Sequence, residues 1–164
     1  MIAQFIALAI TLTAQSVSIT PEIPDYILEE HVTMFRAPNQ DLIFNLQPDD
    51  IELICRCVMS EAGSEPIECQ EGVTDVIINR LCSPRYPNDI KEIIVPGQFS
   101  TSDNGDITEE VRLSVMRAIE YYGTCSQVVP YNCYYFRAGH YHNFGIPYKH
   151  IGNTYFSLSE EATD

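Results

Sequence analysis

Met59-Ser60-Glu61-Ala62-Gly63-Ser64-Glu65-Pro66 closes one helical pattern on a carboxylate and opens a second just past it. Upstream, Pro48, Asp49 and Asp50 form a helix start, with proline tolerated in the first turn and acidic side chains at the positive end of the helix dipole. Ile51, Ile54, Cys55, Val58 and Ala62 then recur at helical spacing as one apolar stripe, and Gly63 is placed to end the helix. Downstream, Pro66 suits the first turn of the next helix, and Cys69, Val73, Val76, Ile77, Arg80 and Leu81 carry a second apolar face. The connection is very short, which makes the two helices tightly packed neighbours.

This elbow makes Glu61 the candidate chemical centre. A carboxylate in the last turn of a helix sits at the negative end of the dipole, and an apolar stripe beside it adds desolvation; both favour the neutral acid. Such a group is suited to give up a proton near neutral pH. The plainer alternative is that Glu61 and Glu65 are solvated helix-end residues, the usual place of glutamate.

The 164 residues fit one domain, long enough to build a core without staples. A net charge of -14 argues against binding nucleic acid or an anionic membrane by simple electrostatics, since both need a basic face. Residues 2–14 form an apolar run shorter than the roughly 20 residues of a membrane span. The run resembles the apolar region of a signal peptide, although no Lys or Arg precedes it and the first basic residue is Arg36; a buried N-terminal helix or strand is the other reading. Residues 1–20 are thus a possible signal peptide or N-terminal apolar segment, and residues 21–47 a Pro- and acid-rich linker with one short strand near His31 to Arg36. Residues 48–158 form the main domain, and residues 159–164 an acidic tail.

Beyond the two helices, Asn88 or Asp89 can cap a short helix through Ile90, Ile93 and Ile94, which Pro96 and Gly97 end. Asp103-Asn104-Gly105-Asp106 has turn chemistry and lacks the acidic spacing of a calcium loop. Thr108, Glu109 and Glu110 open an amphipathic helix with Val111, Val115, Ala118, Ile119 and Tyr122 on its apolar face, stopped by Gly123. Asn132 to Phe136 and Asn153 to Ser157 are aromatic, β-prone runs expected to pair across a loop from Arg137 to His150. That loop holds His140, His142 and His150 among aromatics. Tyrosines and amides suit sugar rings, offering a flat apolar face beside hydrogen-bonding groups; a structured surface loop explains them equally well. Helices first and a small antiparallel sheet in the C-terminal third read as α+β. Six cysteines form no C-x-x-C pair. Cys125 and Cys133 flank a short loop that admits a disulfide in an exported protein, and the others read as small core residues.

The ordered set of motifs resembles the SleB-type cell wall hydrolases, a group of germination cortex-lytic enzymes with many phage-encoded members. The resemblance runs from near Ile51 to Ser157, through Ser60-Glu61-Ala62-Gly63-Ser64-Glu65-Pro66, Gly72-Val73-Thr74-Asp75-Val76-Ile77-Ile78-Asn79-Arg80, Tyr86-Pro87 with Ile90 and Ile94, Gly97-Gln98-Phe99-Ser100, Tyr134-Tyr135-Phe136 and Ile151-Gly152-Asn153-Thr154-Tyr155-Phe156. It implies a lysozyme-like α+β domain that cleaves peptidoglycan between N-acetylmuramic acid and N-acetylglucosamine, with Glu61 as the acid/base. By the same mapping Glu65, Gln98, Phe99, Ser100, Tyr135 and His140 lie around the sugar groove. It implies no cofactor, a monomer, and an exported or wall-associated enzyme or a phage lysin. Two departures stand out. Family members often carry His where this chain has Thr154, and no separate peptidoglycan-binding repeat precedes the domain in this sequence.

The expected mechanism is lytic transglycosylation, for which one carboxylate suffices because the nucleophile belongs to the substrate. A hydrolytic lysozyme would need a second carboxylate about 5 to 9.5 Å away, for which Glu65, Asp103 and Asp106 are the candidates. Two rivals belong to other classes. One is a zinc N-acetylmuramoyl-L-alanine amidase using His140, His142 and His150; the other is an inactive wall-binding or virion protein.

Overall fold

The computed structural model describes residues 33–36, 43–100 and 105–160. The possible signal segment, Asp103 and most of the acidic tail lie outside these residues. The elements in chain order are β1 (Thr33–Arg36), β2 (Ile43–Leu46), α1 (Pro48–Ala62), α2 (Ile67–Cys82), α3 (Ile90–Ile93), α4 (Glu109–Tyr121), β3 (Cys133–Ala138), β4 (Ile146–Ile151) and β5 (Thr154–Leu158). The stretch read as linker therefore contains an antiparallel hairpin of β1 and β2, and Leu46 at its end is part of the core.

Local chemistry sets the helix ends. The Gln47 amide donates to Asp50 Oδ2 at 3.0 Å, which ties off the start of α1. Asp89 caps α3 by accepting from the Lys91 amide at 2.8 Å, and Thr108 Oγ1 accepts from the Val111 amide at 3.3 Å at the head of α4. Gly63 ends α1 in a right-handed conformation, φ -61°. Its glycine is required by space: a Cβ there would run into the Met59 carbonyl oxygen and lie 2.9 Å from the Met59 sulfur.

α2 departs most from expectation. Rather than presenting one apolar face, it is buried all round, with every residue from Cys69 to Cys82 out of solvent. α1, α4 and β3 pack around it. Its polar side chains are therefore obliged to find partners, and Asp75 and Asn79 reach the irregular segment before β3. Asp75 Oδ2 accepts from the amides of Val128 and Val129 at 2.8 and 3.1 Å. Asn79 Nδ2 donates to the carbonyls of Pro130 and Cys133, both at 2.9 Å, while its Oδ1 accepts from Tyr122 Oη at 3.0 Å. Nearer the helix start, Gln70 donates to the Glu65 carbonyl and Glu110 and accepts from Ser114 Oγ.

The second sheet has the order β3-β5-β4, antiparallel throughout. The expected pairing of the two aromatic runs is the β3–β5 ladder. The region read as a loop from Arg137 to His150 holds a third strand, β4, an exposed edge strand with an irregular register between Pro147 and Lys149. β5 is pressed on α2 through Phe156, which is fully buried. A Cβ on Gly72 would lie 2.9 Å from the Phe156 ring, so glycine sets the distance between helix and sheet. The C-terminal end is tied in by the Ser159 amide, which donates to the Asn132 carbonyl at 2.9 Å, and by Arg85, which donates to Ser159 Oγ at 2.6 Å.

All six cysteines are free thiols, so the Cys125–Cys133 disulfide is not formed. Cys133 is buried on β3 with its Sγ toward the Ser157 carbonyl at 3.4 Å, whereas Cys125 is exposed.

Candidate active site

Glu61 occupies the last turn of α1, half-buried, with its carboxylate accepting a hydrogen bond from the Ser100 backbone amide. Ser60 Oγ donates to Ser100 Oγ at 3.0 Å, so two consecutive residues of α1 grip one residue of the segment after α3. That segment is a tight turn. The Val95 carbonyl accepts from the amides of Gln98 and Phe99, and Gly97 has φ +88°, a conformation cheap only for glycine. The Gly97-Gln98-Phe99-Ser100 motif thus delivers a main-chain donor to Glu61. Behind both lies Cys57, whose thiol is pushed up first by burial and then by the Glu61 charge.

The other expected site residues divide. Ser100 and Gln98 are exposed next to Glu61's partner turn. Phe99 is only 5% exposed, belongs to the core and packs on Phe136 at 5.9 Å between ring centroids. Its apolar neighbours, remote in sequence, take the ring inward. Glu65 is half-buried, and its Oε2 accepts from the Asn153 amide at 2.9 Å in the β4–β5 turn. Gly152 in that turn has φ +58° and faces the same carboxylate. The Glu65 side chain thus pins a hairpin to the elbow. Asp106, a further carboxylate candidate, is exposed before α4.

Tyr135 is half-buried on β3 near Tyr86, whose phenol is pushed up by burial against the opposing charge of Arg80. The edge of Phe144 lies against the Tyr135 ring at 5.2 Å, and His142 stacks on Phe144 at 4.5 Å. His140 is exposed on the turn after β3, and the aromatic cluster instead takes His142, whose Nε2 is 3.2 Å from the Phe136 carbonyl oxygen. His150 stacks on Tyr155 at 4.0 Å. His142 and His150 are thus engaged separately, and among the described residues no three His, Cys, Asp or Glu side chains gather to hold a metal ion.

Sequence reasoning missed Arg80 and Tyr86. Arg80 is 7% exposed, with its guanidinium over the rings of Phe99 at 4.8 Å and Tyr86 at 5.3 Å. A charged residue on the apolar face of α2 was the available signal. Thr154, where the resemblance led us to look for histidine, is buried at the start of β5.

The sequence profile of the family described as Cell Wall Hydrolase matches residues 64–157. The chain belongs to that family. The family match begins three residues after Glu61. The chain is 35% identical over 97 residues to the spore cortex-lytic enzyme of Bacillus subtilis (strain 168), an alignment spanning 53% of this chain and 32% of that protein. It therefore spans about a third of the length of that curated relative. Its fold is that of the catalytic domain of the Bacillus cereus SleB protein, with a TM-score of 0.57 at 24% identity, covering 74% of this chain and 94% of that one. The catalytic domain of the germination-specific lytic transglycosylase SleB from Bacillus anthracis matches with a TM-score of 0.56 at 24% identity, covering 74% and 99%. These neighbours bear out the lysozyme-like α+β class, helical with a small C-terminal antiparallel sheet.

Proposed function

We propose that the chain cleaves peptidoglycan glycan strands between N-acetylmuramic acid and N-acetylglucosamine as a lytic transglycosylase, with Glu61 as its single acid/base. The observation that carries this reading is the hydrogen bond from the Ser100 amide to the Glu61 carboxylate. It fixes one carboxyl group beside an exposed polar turn, while the neighbouring Glu65 is committed to the Asn153 amide. Family membership and the lytic transglycosylase named among the structural neighbours support the same chemistry.

In this mechanism protonated Glu61 donates to the glycosidic oxygen as the bond to C1 breaks through an oxocarbenium-like state. The resulting carboxylate then takes the proton of the muramic acid 6-hydroxyl, and that oxygen bonds to C1, closing a 1,6-anhydro ring. No water is consumed, and Glu61 ends protonated, ready for the next cycle. The Ser100 amide keeps the carboxyl in one orientation through both proton transfers, which is how a fixed donor lowers the reorganisation needed at each step. The catalytic unit in this proposal is residues 48–158, acting at the cell wall as an exported protein or as a phage lysin.

The test is release of soluble muropeptides from purified peptidoglycan by wild type and by Glu61→Gln. Release by the wild type, with loss on the order of 100-fold or more in a variant that keeps its circular dichroism and melting temperature, is the expected result for removal of the acid/base. Freed stem peptides would mean an amidase instead. Binding without any release would leave a wall-binding protein.

A further inference from the structure

Packing alone does not require a charge at Arg80. A buried apolar side chain of similar volume avoids the cost of desolvating a charge, and the electrostatic neighbours of this guanidinium are the phenols of Tyr86 and Tyr135 and the thiols of Cys57 and Cys133. Its hydrogen bonds reach two separate pieces of chain. Nε and Nη2 both donate to the Tyr134 carbonyl of β3, at 3.0 and 2.8 Å. Nη1 makes a long contact of 3.5 Å with Gln98 Oε1, and the guanidinium plane carries the rings of Phe99 and Tyr86. Arg80 thereby joins three pieces of chain: α2, on which it sits; β3, through Tyr134; and the 98–99 turn, through Gln98 and Phe99. The next residue is Ser100, whose amide reaches Glu61.

From this arrangement we infer that Arg80 is a positioning residue for the general acid, holding the Gln98-Phe99-Ser100 turn so that the Ser100 amide stays aimed at the Glu61 carboxyl. The inference rests on the acid/base role proposed for Glu61. Arginine is the side chain the task needs, because its planar fork can hold one carbonyl with two N–H groups while a ring packs on its face. Lysine offers a point charge without the fork. Removing the fork lets the turn drift, and a displacement of about 1 Å at a reacting group can cost on the order of 100-fold in rate.

The experiment compares wild type, Arg80→Met and Arg80→Lys by steady-state kinetics on soluble glycan strands, and by amide hydrogen exchange at Ser100. Arg80→Met is expected to lower kcat on the order of 10- to 100-fold with KM within about twofold, and to speed exchange at Ser100. Arg80→Lys is expected to recover only part of both losses. Unchanged kcat together with an unchanged Ser100 amide in Arg80→Met would overturn the inference. So would a rise in KM at constant kcat, which would make Arg80 a substrate contact. If Arg80→Met does not fold, Arg80→Lys carries the same two readouts, since it keeps the charge and most of the volume. If the wild type cleaves no glycan, the function proposed above fails, yet the exchange measurement still decides whether Arg80 holds the Ser100 amide.

Discussion

Asp75 gives a stability prediction whose sign is opposite to that of most carboxylates. It lies in the middle of α2, 1% exposed, with Oδ2 accepting from two amides and Oδ1 buried without a hydrogen-bond partner. Burial pushes its carboxyl up from the ordinary 3.8 to about 7, against the lowering effect of the Val129 and Val128 amides. The folded state therefore holds the proton more tightly than the unfolded chain. Below the unfolded pKa both states are protonated and the group makes no pH-dependent contribution; as pH rises toward 7, a charge must be carried in the interior and stability is lost. At about 1.4 kcal/mol per pH unit, that shift sets a ceiling of about 4 kcal/mol on the loss. Asparagine at 75 does not titrate, so Asp75→Asn should gain on wild type steadily from about pH 4 to about pH 7, then run parallel to it. Glu71, one turn earlier, is also raised by burial, with Arg117 opposing; its own titration is common to both proteins and drops out of the difference, apart from its coupling to Asp75. Urea unfolding of the two proteins across this range measures the difference directly. A pH-independent difference, or one that shrinks as pH rises, would refute the reasoning.

Two further substitutions probe the frame around the site. Gly72→Ala gains about 1 kcal/mol of helix propensity but drives a methyl into the Phe156 ring, an overpacking cost of about 1 to 3 kcal/mol; net destabilisation in urea unfolding is expected, and a more stable variant would contradict the packing. Glu65→Ala removes the acceptor of the Asn153 amide and should cost about 1 kcal/mol and speed hydrogen exchange at Asn153, while muropeptide release per folded molecule persists; abolished release at unchanged stability would return Glu65 to the chemistry.

The parts of this fold that could be read from sequence are those fixed within a few residues. The start of α1 at Pro48, the cap at Thr108 and the stop at Gly63 all depend on neighbours in the chain, and each falls where expected. The all-round burial of α2 was hidden because Asp75, Asn79 and Arg80 are satisfied by groups more than fifty residues downstream, in the irregular segment before β3 and at the start of β3 itself. Read locally, Asp75 and Asn79 look like a polar face. β4 escaped because Gly145 and Pro147 punctuate it and, as an edge strand, it shows no alternation of buried and exposed positions. At the candidate site, the place of Glu61 in the last turn of α1 was legible from the pattern at the elbow. The inward course of Phe99 and the bridging role of Glu65 were not, since both depend on which strand ends up beside the elbow.

The most direct test of the account is the chemical nature of the new glycan end, read by mass spectrometry of the muropeptides that the wild type releases from purified peptidoglycan. The account predicts non-reducing 1,6-anhydromuramic ends, lighter by one water than hydrolytic products and absent from the Glu61→Gln digest. Reducing muramic acid ends would contradict it, because they require an attacking water and a second carboxylate that a single Glu61 does not provide.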